Sequence, residues 1–297
     1  MFHTLRRFLE MIRFSHTLFA LPFALFAAIL AWYHKGFSWL EFAGILACMV
    51  FARSFAMAFN RLADRRIDAA NPRTAARHLP GGQLTVAAVW CFTLVCAAGF
   101  LGSTALFLLA EPANPWPLLL GGPCLLFVAT YSLTKRFTAL AHFWLGASLM
   151  LAPLAAWIAI RGLEDLQIPA VLGLAVAFWV AGFDIIYACQ DADFDRQAKL
   201  HSVPAALGVP AALRVALLCH LVTLGCLLGL YWLAAPPLGV IYLIGVACVT
   251  LLLLYEHWLV SPRDLTRVNQ AFFQVNAVIS VGLLVILLIE IGARAWF

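Results

Sequence analysis

The stretch IPAVLGLAVAFWVAGFDIIYACQDADFD, residues 168–195, decides the fold. Residues 168–188 carry no charge except Asp184, and a helix needs roughly 20 such residues to cross a bilayer. The chain then turns acidic at once, at Asp191, Asp193 and Asp195. Working outward, eight further apolar runs surround this one, at about 39–58, 85–109, 117–132, 139–160, 211–233, 237–258, 271–293 and, nearest the start, 16–33. Of the 297 residues 64% are hydrophobic and 11% charged, and the mean hydropathy is +0.96. Soluble domains hold about 45–50% apolar residues, so a water-soluble domain is excluded. The sequence predicts one all-α polytopic membrane bundle of nine transmembrane helices that forms a single domain over residues 1–297.

Basic residues orient the bundle. With the N-terminus in the cytoplasm, only Lys35, Arg161 and Arg294 of the 19 Lys and Arg residues face the far side. Positive charge accumulates at cytoplasmic loops, which predicts an inner-membrane protein with its N-terminus and its polar loops in the cytoplasm. Arg6, Arg7 and Arg13 before an apolar run resemble a signal peptide. No small-residue cleavage site follows, so the run is kept as the first span. The net charge of +5 is a topology signal and gives no reason to invoke nucleic acid. The eight cysteines form no Cys-x-x-Cys pair and are expected to be apolar fillers.

Two copies of one acidic pattern stand at span ends on the same face of the membrane. Asn60-x-x-x-Asp64-x-x-x-Asp68 follows the 39–58 run, and Tyr187-x-x-x-Asp191-x-x-x-Asp195 follows 168–188. Residues i and i+4 share a helix face. Asn60, Asp64 and Asp68 therefore form a stripe that Arg53 and Met57 continue into the membrane. Tyr187, Asp191 and Asp195 form another below Asp184, with Asp193 turned away. Carboxylates at membrane depth are costly and read as a site. Pairs one turn apart suit Mg²⁺, which takes one or two carboxylates and keeps positions for water and phosphate oxygens. Two such pairs facing each other would hold two or three Mg²⁺ against a diphosphate.

Cations interleave with these acids. Arg61, Arg77, Lys135 and Lys199 are expected to contact phosphate, whereas Arg66, Arg73 and Arg196 are expected to pair with acids or set topology. His16, His34, His142, His220 and His257 are read as interfacial or packing residues, and Glu41 and Glu290 as interfacial. Asn269, Gln270, Gln274 and Asn276 either bond between helices or line a pocket. A cation-coupled transporter would explain intramembrane acids, but not acids paired at i,i+4 among phosphate-type cations.

The run NRLADRRIDAANPRTAARHLPGG, residues 60–82, resembles the first signature of the UbiA superfamily of intramembrane aromatic prenyltransferases. Residues 184–202 resemble its second, and Tyr131-Ser132-x-x-Lys135-Arg136 a third element. The likeness covers essentially the whole chain and lies nearest the bacterial 4-hydroxybenzoate polyprenyltransferases and related enzymes of menaquinone synthesis. It implies a central cavity open to the cytoplasm and to lipid. It implies that Asp64, Asp68, Asp191 and Asp195 hold Mg²⁺, and that Asn60, Arg61, Arg77, Tyr131, Lys135, Arg136, Asp184, Lys199 and Ser202 bind substrate. Arg53 is implied to reach the aromatic acceptor or to order the cavity. The chemistry so implied calls for ring faces toward the allylic cation, for which Tyr187, Phe183, Phe59 and Tyr131 are candidates, and for a base that takes the ring proton, to which Asp191 is assigned. The substrates implied are a polyprenyl diphosphate and an aromatic acid, and the route quinone biosynthesis; a dihydroxynaphthoate is the alternative acceptor. His78, where many relatives carry Pro, is assigned no role.

Overall fold

The computed structural model describes residues 2–12 and 19–296, in which every named element is a helix. Arg13, His16 and the first residues of the 16–33 run lie outside the described residues. Helices run α1 Phe2–Met11, α2 Leu21–Lys35, α3 Trp39–Ala70, α4 Val86–Ala105, α5 Trp116–Thr134, α6 Ala141–Arg161, α7 Gln167–Ala188, α8 Ala192–Gln197, α9 Val203–Leu207, α10 Val209–Leu233, α11 Val240–Leu259, α12 Val268–Gln270 and α13 Asn276–Trp296. Among the described residues, eight helices are long and apolar enough to cross a membrane. The expected first span appears as α2, whose 15 described residues reach about 22 Å at 1.5 Å per residue. The other eight expected runs each match one spanning helix.

Residues 1–17 and 38–133 form one compact unit. Its axis is α3, which Ser38 opens with an extended backbone and a side chain that accepts from the Glu41 amide. At 32 residues α3 is about 48 Å long, well beyond a bilayer's roughly 30 Å apolar core. The first acidic motif is therefore helical throughout, and the chain leaves the helix only at Asn71, where Pro72 disfavours further helix. α3 packs along α4, which Thr85 caps by accepting from the Ala88 amide. α1 was not foreseen from the sequence. It lays Phe8, Met11 and neighbouring Ile12 on a core of Ala58, Leu62, Leu84 and Val89, with Phe8 stacked on Phe92 at 4.7 Å. Its outer face carries Arg6 and Glu10, paired at 2.8 Å, and the hydrogen bond from Arg6 holds the Glu10 carboxyl below its usual range.

Residues 18–37 and 134–297 form the second unit, built on α6, α7 and α10, with α2, α11 and α13 packed around them. Small residues let these backbones approach closely. A Cβ on Gly146 would run into the carbonyl of Ala177, and one on Gly182 into the ring of His220. His220 in turn meets His257 at 3.0 Å, nitrogen to nitrogen, and Tyr242 donates to the Leu227 carbonyl at 2.8 Å. Glu290 is buried, accepting from the Tyr242 amide and pairing with Arg294; Glu41 is buried as well. The eight cysteines are free. Trp39, Trp232 and Trp258, each at or next to a helix end, are largely exposed, as expected where indole rings sit at a membrane interface.

Candidate functional site

The first constellation lies on α3 and the turns after it. Asn60, Asp64 and Asp68 occupy successive turns of one unbroken helix, as the i,i+4 spacing predicts, and both aspartates are buried. The Asn60 amide donates to Asp64 Oδ2 at 3.0 Å and reaches Ser132 Oγ at 3.4 Å. Arg77 Nη1 lies 2.7 and 2.9 Å from the two oxygens of Asp68, and Arg61 Nη1 lies 3.9 Å from Oδ2. Arg61 is itself buried, and its Nε donates to the Met11 carbonyl at 3.5 Å. The Asp68 carboxylate thus has two cations around it, which offsets much of the cost of burying it. The turns that bring Arg77 back are fixed by side-chain to backbone bonds: Thr74 donates to the Asp68 carbonyl, and Asn71 Oδ1 accepts from the Arg73 amide.

One and two turns above Asn60, the stripe continues through Met57 to Arg53, which has a different character. Its Nε is buried and has no hydrogen-bond partner among the described residues. An unpaired buried donor is costly, and a guanidinium in that position is suited to a carboxylate. Tyr131 lies within electrostatic reach of Arg53, Arg61 and Asp64, and its hydroxyl bonds with Ser132. Six expected residues of this unit (Arg53, Asn60, Arg61, Asp64, Asp68, Tyr131) are therefore gathered around one face of α3. Arg77 joins them, bound to Asp68.

The second constellation lies on α6, α7 and the segment after α7. Here the continuous stripe expected from Tyr187 to Asp195 is interrupted. α7 ends at Ala188, a 3₁₀ turn spans Cys189–Asp191, and α8 follows. Asp195 is buried, with a side-chain hydrogen bond to Ser202 and with Lys135, Asp191 and His142 as its ionisable neighbours. Ser202 also caps α9 by accepting from the Ala205 amide, while the His201 amide donates to the Lys135 carbonyl at 2.7 Å. Asp193 turns outward as expected and pairs with Arg196 at 2.8 Å. Lys199 is exposed and sits at φ +54°. Arg136 lies in the turn after α5, partly buried.

His142 carries more than the packing role expected of it. Its Nε2 accepts from the Val203 amide at 3.3 Å, so a proton on the ring sits at Nδ1, 2.7 Å from Asp184 Oδ2. One imidazole thus ties the α8–α9 connection to α7 and orients Asp184. Nothing in the residues around His142 signals this, because both partners are distant in sequence. Tyr187 packs against Phe272, ring centroids 4.3 Å apart and planes tilted by 36°, and Phe272 likewise went unrecognised in the sequence. Of the residues opening the last span, Asn276 forms bonds between helices.

No group of three or more His, Cys, Asp or Glu side chains able to hold a metal occurs among the described residues. The carboxylate pairs fit Mg²⁺ nonetheless. Every donor offered is a hard oxygen, each motif supplies two carboxylates a turn apart, and Mg²⁺ fills its remaining positions with water and phosphate oxygens.

The UbiA prenyltransferase family model matches residues 20–278 of the chain. The 4-hydroxybenzoate octaprenyltransferase of Nitrosospira multiformis is 32% identical over 229 residues, 76% of this chain and 75% of that protein. The enzyme of the same name from Nitrosomonas europaea is 33% identical over 79% of this chain and 78% of its own length. Among solved structures, a UbiA homolog from Aeropyrum pernix K1 superposes with a TM-score of 0.82 at 30% identity, covering 95% of this chain and 98% of that one. A UbiA homolog from Archaeoglobus fulgidus, bound to GPP and Mg²⁺, shares the fold with a TM-score of 0.71 at 19% identity, over 96% and 99% of the two chains.

Proposed function

As this chain belongs to the UbiA prenyltransferase family, we propose that it transfers a polyprenyl group from a polyprenyl diphosphate to a 4-hydroxybenzoate-like aromatic acid, in quinone biosynthesis. The observation that carries this reading is a buried carboxylate set against cations in each acidic motif: Asp68 with Arg61 and Arg77, and Asp195 near Lys135. Asp64, Asp68, Asp191 and Asp195 would hold Mg²⁺, which offsets the charge of a bound diphosphate. Asn60, Arg61, Arg77, Lys135, Arg136, Lys199 and Ser202 bind and orient that diphosphate, and they stabilise the charge it gains as the allylic C–O bond breaks and its electron pair leaves with the oxygen. Tyr187 offers a ring face to the allylic cation, an interaction of roughly 0.5–2 kcal/mol.

Arg53, with its unpaired Nε, takes the carboxylate of the aromatic acid. Tyr131 and Asp184 border the acceptor. A ring carbon ortho to the hydroxyl then bonds to the prenyl carbon, and Asp191 receives the ring proton. The chain acts as one domain with nine spans in the cytoplasmic membrane. Its N-terminus and site face the cytoplasm, and lipid supplies the prenyl substrate.

Purified protein, radiolabelled polyprenyl diphosphate, a set of aromatic acids and Mg²⁺ test the proposal. The expected result is a prenylated 4-hydroxybenzoate that disappears with EDTA. Exclusive prenylation of a dihydroxynaphthoate would move the acceptor to menaquinone synthesis. Ion flux into liposomes with no prenylated product would replace the enzyme by a transporter.

A further inference from the structure

Before its last long helix the chain widens into a π-turn, Ala271–Val275, between α12 and α13. Such turns interrupt the α pattern, leave carbonyls needing other donors, and occur frequently at functional sites. Here the donor is Asn276, fully buried, whose Nδ2 lies 3.1 Å from both the Ala271 and the Phe272 carbonyls. Two groups from other helices hold the amide in place. Trp179 of α7 donates from Nε1 to Asn276 Oδ1 at 2.6 Å, and Glu256 of α11 lies with Oε1 3.2 Å from Nδ2. An indole N–H can only donate, so the amide oxygen must face Trp179 and both N–H groups must face the π-turn and Glu256. Glu256 is completely buried, and an ionisable group so placed within a membrane helix is expensive to keep.

The turn that Asn276 secures carries Phe272. Its ring lies 4.3 Å from Tyr187, 5.3 Å from Phe183 and 5.6 Å from Phe19. Tyr187 stands one turn before Asp191, so the aromatic set backs the start of the second acidic motif. We propose that Phe272 is a positioning residue for Tyr187, and that Asn276, braced by Trp179 and Glu256, sets Phe272 through the π-turn. This rests on the reading above in which Tyr187 faces the allylic cation. Burial alone would be met by an apolar residue at 276; the convergence of one amide on a turn and two other helices is what an orienting role requires.

Five variants decide the matter: Phe272→Leu, Asn276→Leu, their double variant, Glu256→Gln and Glu256→Leu. Asn276→Leu keeps the branched outline of the side chain and removes every hydrogen bond it makes. It should lower kcat about tenfold while leaving the aromatic-acid KM nearly unchanged, and adding it to Phe272→Leu should cost nothing further. Glu256→Gln keeps an acceptor oxygen and should retain the activity that Glu256→Leu loses. Hydrogen exchange needs no turnover: Asn276→Leu should speed exchange both at 271–276 and around 187–191. Multiplicative losses in the double variant, or unchanged exchange near Tyr187, would overturn the proposal. A wild-type protein that makes no prenylated product would instead defeat the reading of function, and the exchange experiment would still decide whether the brace exists.

Discussion

Replacing Arg77 by Met separates the structural work of that residue from its work on a substrate. Asp68 has only 6% of its side chain exposed, and Arg77 meets both of its oxygens. Removing one partner of a buried, hydrogen-bonded ion pair costs about 3–5 kcal/mol, because the other charge is stranded. Arg61 remains 3.9 Å away, and Arg77 is itself 22% exposed, so the lower end applies, about 3 kcal/mol. For chains of 150–250 residues each kcal/mol moves Tm by about 2–4 °C, which for this chain gives a fall of about 6–12 °C in a detergent melt at fixed scan rate. The double variant Asp68→Asn, Arg77→Met no longer strands the Asp68 charge, although the buried Arg61 loses that carboxylate, and it should recover part of the loss, yet stay inactive if Asp68 holds Mg²⁺. An unchanged melting temperature in Arg77→Met would refute the reasoning, since the pair would then be screened by water. Recovery of turnover in the double variant would remove Asp68 from the metal site.

Asp64→Asn and Asp191→Asn should each abolish Mg²⁺-dependent product formation, with far-ultraviolet circular dichroism unchanged; normal turnover in either would cancel its assignment. Arg53→Ala should raise the KM of the aromatic acid by about 10- to 150-fold, as the loss of a charge-assisted hydrogen bond of roughly 1.5–3 kcal/mol predicts, and should leave that of the prenyl diphosphate nearly unchanged. Equal effects on the two would argue against a carboxylate contact. Gly146→Ala forces α6 and α7 apart at the Ala177 carbonyl and should cost about 1–3 kcal/mol, read as a lower Tm. His142→Phe removes the tie between Asp184 and the Val203 amide; increased proteolysis within 196–205 is the expected sign, and unchanged cleavage there would show that the tie is not needed.

The spans were legible because twenty apolar residues in a row have few other destinations. The i,i+4 stripe on α3 was legible too, since a helix carries its register past the last apolar residue until Asn71-Pro72 stops it. The same rule misjudged the second motif. The 3₁₀ turn after Ala188 comes from how the α8–α9 segment folds back onto Lys135 and His142, and no local pattern announces it. Partner choice was the other blind spot. Arg77 reads as a phosphate ligand by type, while its place beside Asp68 depends on turns built by Asn71 and Thr74. The bonds of His142 and Asn276 join helices dozens of residues apart. A histidine or asparagine in an apolar run looks the same whether it packs or orients.

The unbroken course of α3 makes the height and bearing of its carboxylates depend on simple counting. Each residue added between Ser38 and Arg53 would lift Asp64 and Asp68 by about 1.5 Å and swing them through about 100°. Only an insertion of about seven residues, two full turns, would restore their bearing, and it would push them some 10 Å further out. The length of that one rod is therefore as much a chemical parameter as the identity of the acids it carries, and homologues should vary its sequence far more freely than its number of residues.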